Sequence, residues 1–179
     1  MSKVIFYFKF FIYRFILKKD PMKIKVEYYR SKGVKIGENM RTFSVLSSAE
    51  PYLLEFGDNV TVSSGVSFIT HDNSATKIIP DSTDIIGRIK IGNNCFIGQR
   101  SLFLPGVEIG NDVVVAAGSV VTKSFLTEGV IIGGNPAKVI GTVEDYRLKY
   151  SRNAFNTKGL DYQRKKEIIQ NNEKKLLKK

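Results

Sequence analysis

The stretch Ile89-Lys90-Ile91-Gly92-Asn93-Asn94-Cys95-Phe96-Ile97-Gly98-Gln99-Arg100-Ser101-Leu102-Phe103 places a large apolar residue at every sixth position: Ile91, Ile97 and Phe103. The register extends outward to Ile85 on one side and to Ile109, Val115 and Val121 on the other. Four residues beyond each of these stand Ile89, Cys95, Ser101, Val107, Val113, Ser119 and Phe125, mostly small or β-branched. The residue directly after the apolar one is Gly92, Gly98, Gly110 or Ala116 in four of the seven hexads. An earlier block repeats the pattern in its own register, led by Phe56, Val62 and Phe68, with Val60 and Val66 four beyond the first two. Lys35-Ile36-Gly37-Glu38-Asn39 reads as a weaker opening hexad.

A period of six matches neither the 3.6 of a helix nor the 2 of a simple strand. It matches a chain that turns a corner every six residues, with short strands on flat faces and side chains pointing inward. Three hexads then complete one triangular coil, and parallel stacking buries each aliphatic on its equivalent one coil above and below. Small residues follow the large ones because the corner is tight, and glycine there supplies backbone freedom. Cys95 takes an inward position, so it reads as a small buried hydrophobe and not as a nucleophile.

The remaining composition sets limits. A chain of 179 residues with 42% apolar residues, 15 Gly, 5 Pro and 25% charged residues is one globular domain of ordinary size. The net charge of +11 is unevenly placed: residues 1–35 carry +8, residues 36–141 carry −3 and residues 142–179 carry +6. A nucleic-acid groove in the central segment is therefore not expected, since cations must be concentrated where phosphates sit. One cysteine excludes an internal disulfide, and one histidine, His71, excludes metal sites that need several imidazoles. No metal is expected.

The two registers do not join, because Phe68 and Ile85 are 17 residues apart and not 18. The polar segment 73–84 between them reads as a loop that leaves the prism, and excursions from a solenoid are where function concentrates. His71 lies just before it, in Ser67-Phe68-Ile69-Thr70-His71-Asp72.

With these residues in place, the chain resembles the hexapeptide-repeat acyltransferases, closest to the maltose, galactoside and polysaccharide O-acetyltransferases. The repeats from Ile89 to Gly110 carry the resemblance, together with Ala116-Ala117-Gly118-Ser119-Val120-Val121-Thr122-Lys123 and Gly133-Gly134-Asn135-Pro136-Ala137-Lys138-Val139-Ile140. The resemblance spans roughly 34–140. It implies an all-β fold, a left-handed parallel β-helix over 34–141, preceded by an N-terminal amphipathic helix and linker (1–33) and followed by a basic extension (142–179), helical or loose. It also implies acetyl-CoA as cosubstrate and a homotrimer with active sites between subunits.

On that resemblance His71 is the general base, because the family's catalytic histidine precedes the same loop. An imidazole with a pKa near 6.5 is largely neutral at cytosolic pH and can take a proton from a sugar hydroxyl. Asp72 is a secondary candidate to orient it, although adjacent strand residues point to opposite faces, which favours a backbone carbonyl instead. The same resemblance puts Gln99, where galactoside enzymes have serine, at the oxyanion amide, and Phe96 where they have tryptophan beside the cofactor. Gly98 and Ala117 would bond pantetheine, and Thr122, Lys123 and Lys138 would face the adenosine and phosphate end of coenzyme A. Asn135-Pro136 reads as a turn.

The expected activity is an acetyl-CoA-dependent O-acetyltransferase acting on a saccharide, a surface-polysaccharide precursor or lipid-linked sugar. An amine acceptor on a nucleotide sugar, serine, or a non-catalytic scaffold are the alternatives. Val4–Leu17 has no cleavage site, is interrupted by Lys9 and Arg14, and is too short to span a bilayer. The expected location is cytoplasmic. Lys3, Tyr7, Arg14 and Lys18 share one side of a helical wheel, so residues 3–19 either lie peripherally in a membrane surface or cap the open end of the prism.

Overall fold

The computed structural model describes residues 1–46 and 48–178. From Lys35 the chain lays short parallel strands on three faces in rotation. The first face stacks Lys35–Ile36, Leu54–Phe56, Ile89–Ile91 and Glu108–Ile109, and a parallel bridge joins Ile109 to Phe125. The second stacks Arg41–Thr42, Thr61–Val62, Phe96–Ile97, Val114–Val115 and Val130–Gly134, and is closed by the antiparallel strand Ala137–Thr142. The third stacks Ser67–Phe68, Leu102–Phe103 and Val120–Val121.

The register confirms the hexad arithmetic. Ile91 pairs with Ile109, Ile97 with Val115 and Phe103 with Val121, each pair 18 residues apart. One coil is therefore three hexads. Across the excursion Phe56 pairs with Ile91, Val62 with Ile97 and Phe68 with Phe103, each 35 apart. The insertion thus adds 17 residues to one coil and leaves the stacking intact.

Inside the coil every inward position from Ile89 to Phe125 is buried, Cys95, Ser101 and Ser119 included. Phe56, Phe68 and Phe103 form an aromatic column, with centroids 5.2 Å and 5.0 Å apart. Each such side chain contributes about 1.5–3 kcal/mol by leaving water. The inward hydroxyls do not go unsatisfied: Ser101 donates to the Gly98 carbonyl at 2.9 Å and Ser119 to that of Ala116 at 2.6 Å. Burial raises the Cys95 thiol pKa, as suits a core residue.

The corners correct one detail of the sequence reading. Gly92 and Gly98 do not adopt positive φ. They are glycine because a Cβ would lie 2.6 Å from the Gly110 carbonyl oxygen and 2.5 Å from the Ala117 nitrogen, respectively. Left-handed backbone falls on Asn39, Asn59, Asn94 and Asp112, stacked at the Gly92 corner with φ of 56–57°, and on Gly65, Arg100 and Gly118 at the Gly98 corner. Asn and Asp tolerate that conformation better than other non-glycine residues. The neighbouring side chains tie coil to coil: Asn93 accepts from the Asp58 N–H at 2.8 Å, and Asn111 from the Asn93 N–H at 2.8 Å.

Ile85 is a second correction. It is 51% exposed and pairs antiparallel with Asp72, outside the coil, so the inward register begins at Ile89. The excursion runs from His71–Asp72 to Ile85–Ile86, wider than 73–84, and carries a short helix, Ala75–Ile78.

The N-terminal segment holds two helices where one helix and a linker were expected: α1 (Lys3–Phe11) and α2 (Met22–Arg30). Ile12–Ile16 between them forms π-type turns, which break the single helical wheel. Val26 and Tyr29 of α2 join the core, so α2 closes the open end of the prism. α1 packs on α2, with Phe6 stacked on Tyr28 at 4.3 Å, while Val4, Phe8 and Phe11 remain exposed. The C-terminal extension forms Val143–Tyr150 and Tyr162–Gln170, neither with a buried residue. Among the described residues no helix is long and apolar enough to cross a membrane.

Candidate active site

Thr70 leaves the third face buried, and its carbonyl accepts from Gly87 N–H at 2.8 Å, which pins the two ends of the excursion together. His71 is thereby held where the excursion emerges. Its Nδ1 lies 2.9 Å from Glu50 Oε2. Glu50 comes from the preceding coil, immediately before the turn Pro51–Leu53. The same Oε2 accepts from the Thr70 hydroxyl at 2.6 Å, and Thr70 is in turn hydrogen-bonded to Ser48.

A carboxylate only accepts, so the neutral imidazole carries its proton on Nδ1 and leaves the Nε2 lone pair free. The hydrogen bond to Glu50, then the Glu50 charge, raises the His71 pKa, with smaller contributions from Asp84 and Asp72. Glu50 itself is held below the usual carboxylate range, first by the Thr70 hydroxyl and then by His71. The chain Ser48, Thr70, Glu50, His71 holds the imidazole in one orientation and one neutral tautomer.

Glu50 takes the place considered for Asp72. The Asp72 carboxylate accepts from the Ser74 N–H at 2.9 Å and so shapes the excursion, adding only charge to His71. Nor is a backbone carbonyl the partner of Nδ1. Glu50 had one signal in the sequence, as the only acidic residue between Glu38 and Glu55, about one coil before His71. The first coil carries two extra residues, since Ile36 pairs with Phe56, and that irregularity hides the juxtaposition.

The other candidates fall on two corners. Gly98, Gln99 and Ala117 meet between the second and third faces, where the Gln99 carbonyl accepts from Gly118 N–H at 2.8 Å. The Gln99 side chain donates to Ser64 Oγ at 3.0 Å, while no backbone bond engages the N–H of Gln99 or Ala117 among the described residues. Phe96, on the second face beside them, is 46% exposed. Lys138 pairs with Gly133, whose added Cβ would lie 3.0 Å from the Ala116 Cβ, so it belongs to the same stack. Thr122 and Lys123 leave the third face at its opposite end, the corner from which His71 also departs. Thr122, Lys123 and Lys138 are exposed, and neither lysine forms an ion pair among the described residues.

Comparison with known proteins bears on the family and the fold. Residues 88–123 match the family described as hexapeptide repeat of succinyl-transferase. Protein CapG of Staphylococcus aureus is 46% identical over 88% of this chain and 94% of its own length. Galactoside O-acetyltransferase of Escherichia coli (strain K12) is 30% identical over 70% of this chain and 62% of its own. A solved galactoside acetyltransferase in complex with coenzyme A superposes with a TM-score of 0.51 at 27% identity, covering 65% of this chain and 58% of that one. Three stacked faces of 18-residue coils, a histidine at the root of a polar excursion and a relative matched over nearly its whole length lead to one assignment: the chain belongs to the hexapeptide-repeat acyltransferases.

Proposed function

We propose that this protein transfers an acetyl group from acetyl-CoA to a hydroxyl of a saccharide. The observation that carries the reading is the His71–Glu50 hydrogen bond, which leaves Nε2 unprotonated in the neutral ring. His71 takes the proton of the acceptor hydroxyl while the oxygen forms its bond to the thioester carbon. The carbon–sulfur bond then breaks, and the imidazolium returns the proton to the departing thiolate. The Gln99 N–H stabilises the oxyanion. The relatives' names and the coenzyme A complex support the cosubstrate and the saccharide class.

The family likeness supports a left-handed coil and a homotrimer. His71 and Lys123 stand at one end of the third face, and Gly98, Gln99 and Ala117 at the other, beside Phe96 of the second face. A second copy brings the two ends together, so each site is shared. Gly98 and Ala117 bond the pantetheine, and Thr122, Lys123 and Lys138 meet the adenosine and phosphate end, the lysines as point charges. The protein works in the cytoplasm, with a peripheral membrane contact through residues 3–19, where exposed Val4, Phe8 and Phe11 neighbour Lys3 and Lys9.

His71→Ala tests the mechanism. Turnover with a panel of saccharides falls about 10²–10⁴-fold while coenzyme A affinity holds. Full activity in the variant refutes the role of His71.

A further inference from the structure

A cavity of about 570 Å³ opens between α1, α2 and the chain around Leu46, Ser48 and Pro51. That is the size of a pocket for a small organic ligand. Phe6, Phe10 and Tyr28 wall it, and Lys3, Lys25 and Lys32 stand on it, with no carboxylate in its lining among the described residues.

Lys25 is the telling residue. Its half-buried ammonium donates one hydrogen bond, 2.9 Å to the Thr42 carbonyl, and forms no ion pair among the described residues. Burial lowers its pKa. An ammonium has three donors, and a desolvated one is costly without an anion. Lys32 lies 5.6 Å from the centre of the Tyr28 ring, at the same wall. Apolar walls with unpaired cations fit an anion attached to hydrocarbon, and neither part alone.

The cavity is linked to His71 by a chain of hydrogen bonds. Ser48 lines it, and Ser48 is bonded to Thr70, which donates to Glu50, which holds His71.

We infer that this cavity receives the acceptor, a saccharide joined through phosphate to a hydrocarbon chain. The hydrocarbon lies against Phe6, Phe10 and Tyr28, the phosphate meets Lys25 and Lys32, and the sugar extends toward His71. The inference rests on the saccharide-acceptor reading above and names the carrier of that saccharide.

Calorimetric titration of the full chain with farnesyl diphosphate, farnesol and inorganic diphosphate tests it. Farnesyl diphosphate is expected to saturate one site per chain and to bind at least about 10-fold more tightly than either half, the scale of one charge-assisted contact. Lys25→Met and, separately, Lys32→Glu are each expected to weaken it about 10-fold, also the loss of one such contact. Lys32→Glu leaves the hydrogen bond from Lys25 to the Thr42 carbonyl in place, and the melting temperature of both variants serves as the fold control. Equal affinity for farnesol, absence of saturable binding, or affinity untouched by Lys32→Glu would overturn the inference. Binding to phosphatidylglycerol vesicles without binding to farnesyl diphosphate would overturn it too, and make the region a membrane contact only. The titration needs no turnover, so a failure to acetylate any saccharide would count against the proposed function and leave this result readable.

Discussion

His71 Nδ1 and Glu50 Oε2 lie 2.9 Å apart although they belong to different coils and are 21 residues apart in the chain. The pairing sets both the tautomer and the proton affinity of the imidazole. Glu50 raises the His71 pKa, so the base proposed above, which must be neutral, is lost as pH falls through a value above the ordinary one. The acidic limb of kcat/KM is therefore expected above pH ~6.5. Glu50→Gln removes the charge and moves that limb to lower pH, while kcat on the plateau falls about 10–100-fold as the tautomer is freed. A pH–rate profile of the two proteins reads both effects, and an unmoved limb would rule out the coupling.

Thr70 supports the pair from behind. Its buried hydroxyl donates to Glu50 Oε2 at 2.6 Å and is the largest cause of that carboxylate's low pKa. Thr70→Val keeps the shape and deletes the donor, so kcat drops several-fold and stability falls by about 1–3 kcal/mol. The KM for acetyl-CoA stays constant. Parallel changes in kcat and KM would point to a general disturbance of the fold instead.

Phe103 anchors the column of the third face. It is fully buried and stacks on Phe68 with an interplanar angle of 23°. Phe103→Ala leaves a void between coils that cannot close without shifting the ladder, and costs about 3–5 kcal/mol in urea denaturation.

Gly98 sits at a tight corner and in the coenzyme A site proposed above. A Cβ there would come within 2.5 Å of the Ala117 nitrogen and the Val115 carbonyl oxygen. Gly98→Ala forces neighbouring coils apart and costs about 1–3 kcal/mol. The same displacement moves the Ala117 N–H, so equilibrium dialysis is expected to show weakened coenzyme A binding. Destabilisation with intact affinity would remove Gly98 and Ala117 from the coenzyme A site.

How much was legible follows from what repeats. Ile89 to Phe125 alternates inward positions without a break, and the 18-residue coil follows from it because each inward side chain has an equivalent inward position above and below. The excursion was legible as a slip of one residue between Phe68 and Ile85, but not its limits. Ile85 satisfies the period by coincidence, and its pairing with Asp72 depends on where the excursion folds back.

The sequence by itself determined the stacked coil, the buried role of Cys95 and the position of His71 at the root of the excursion, because a strict period forces equivalent residues into equivalent places. Only the tertiary structure decided that Glu50 and not Asp72 holds His71, that α2 seals the prism while α1 leans on it, and that Lys25 faces a cavity walled by Phe6, Phe10 and Tyr28. Each of these lies where the period fails, in a first coil lengthened by two residues and in a segment that precedes the repeats. There, no residue inherits its neighbours from a coil above or below, and contact is settled by the path of the chain in space.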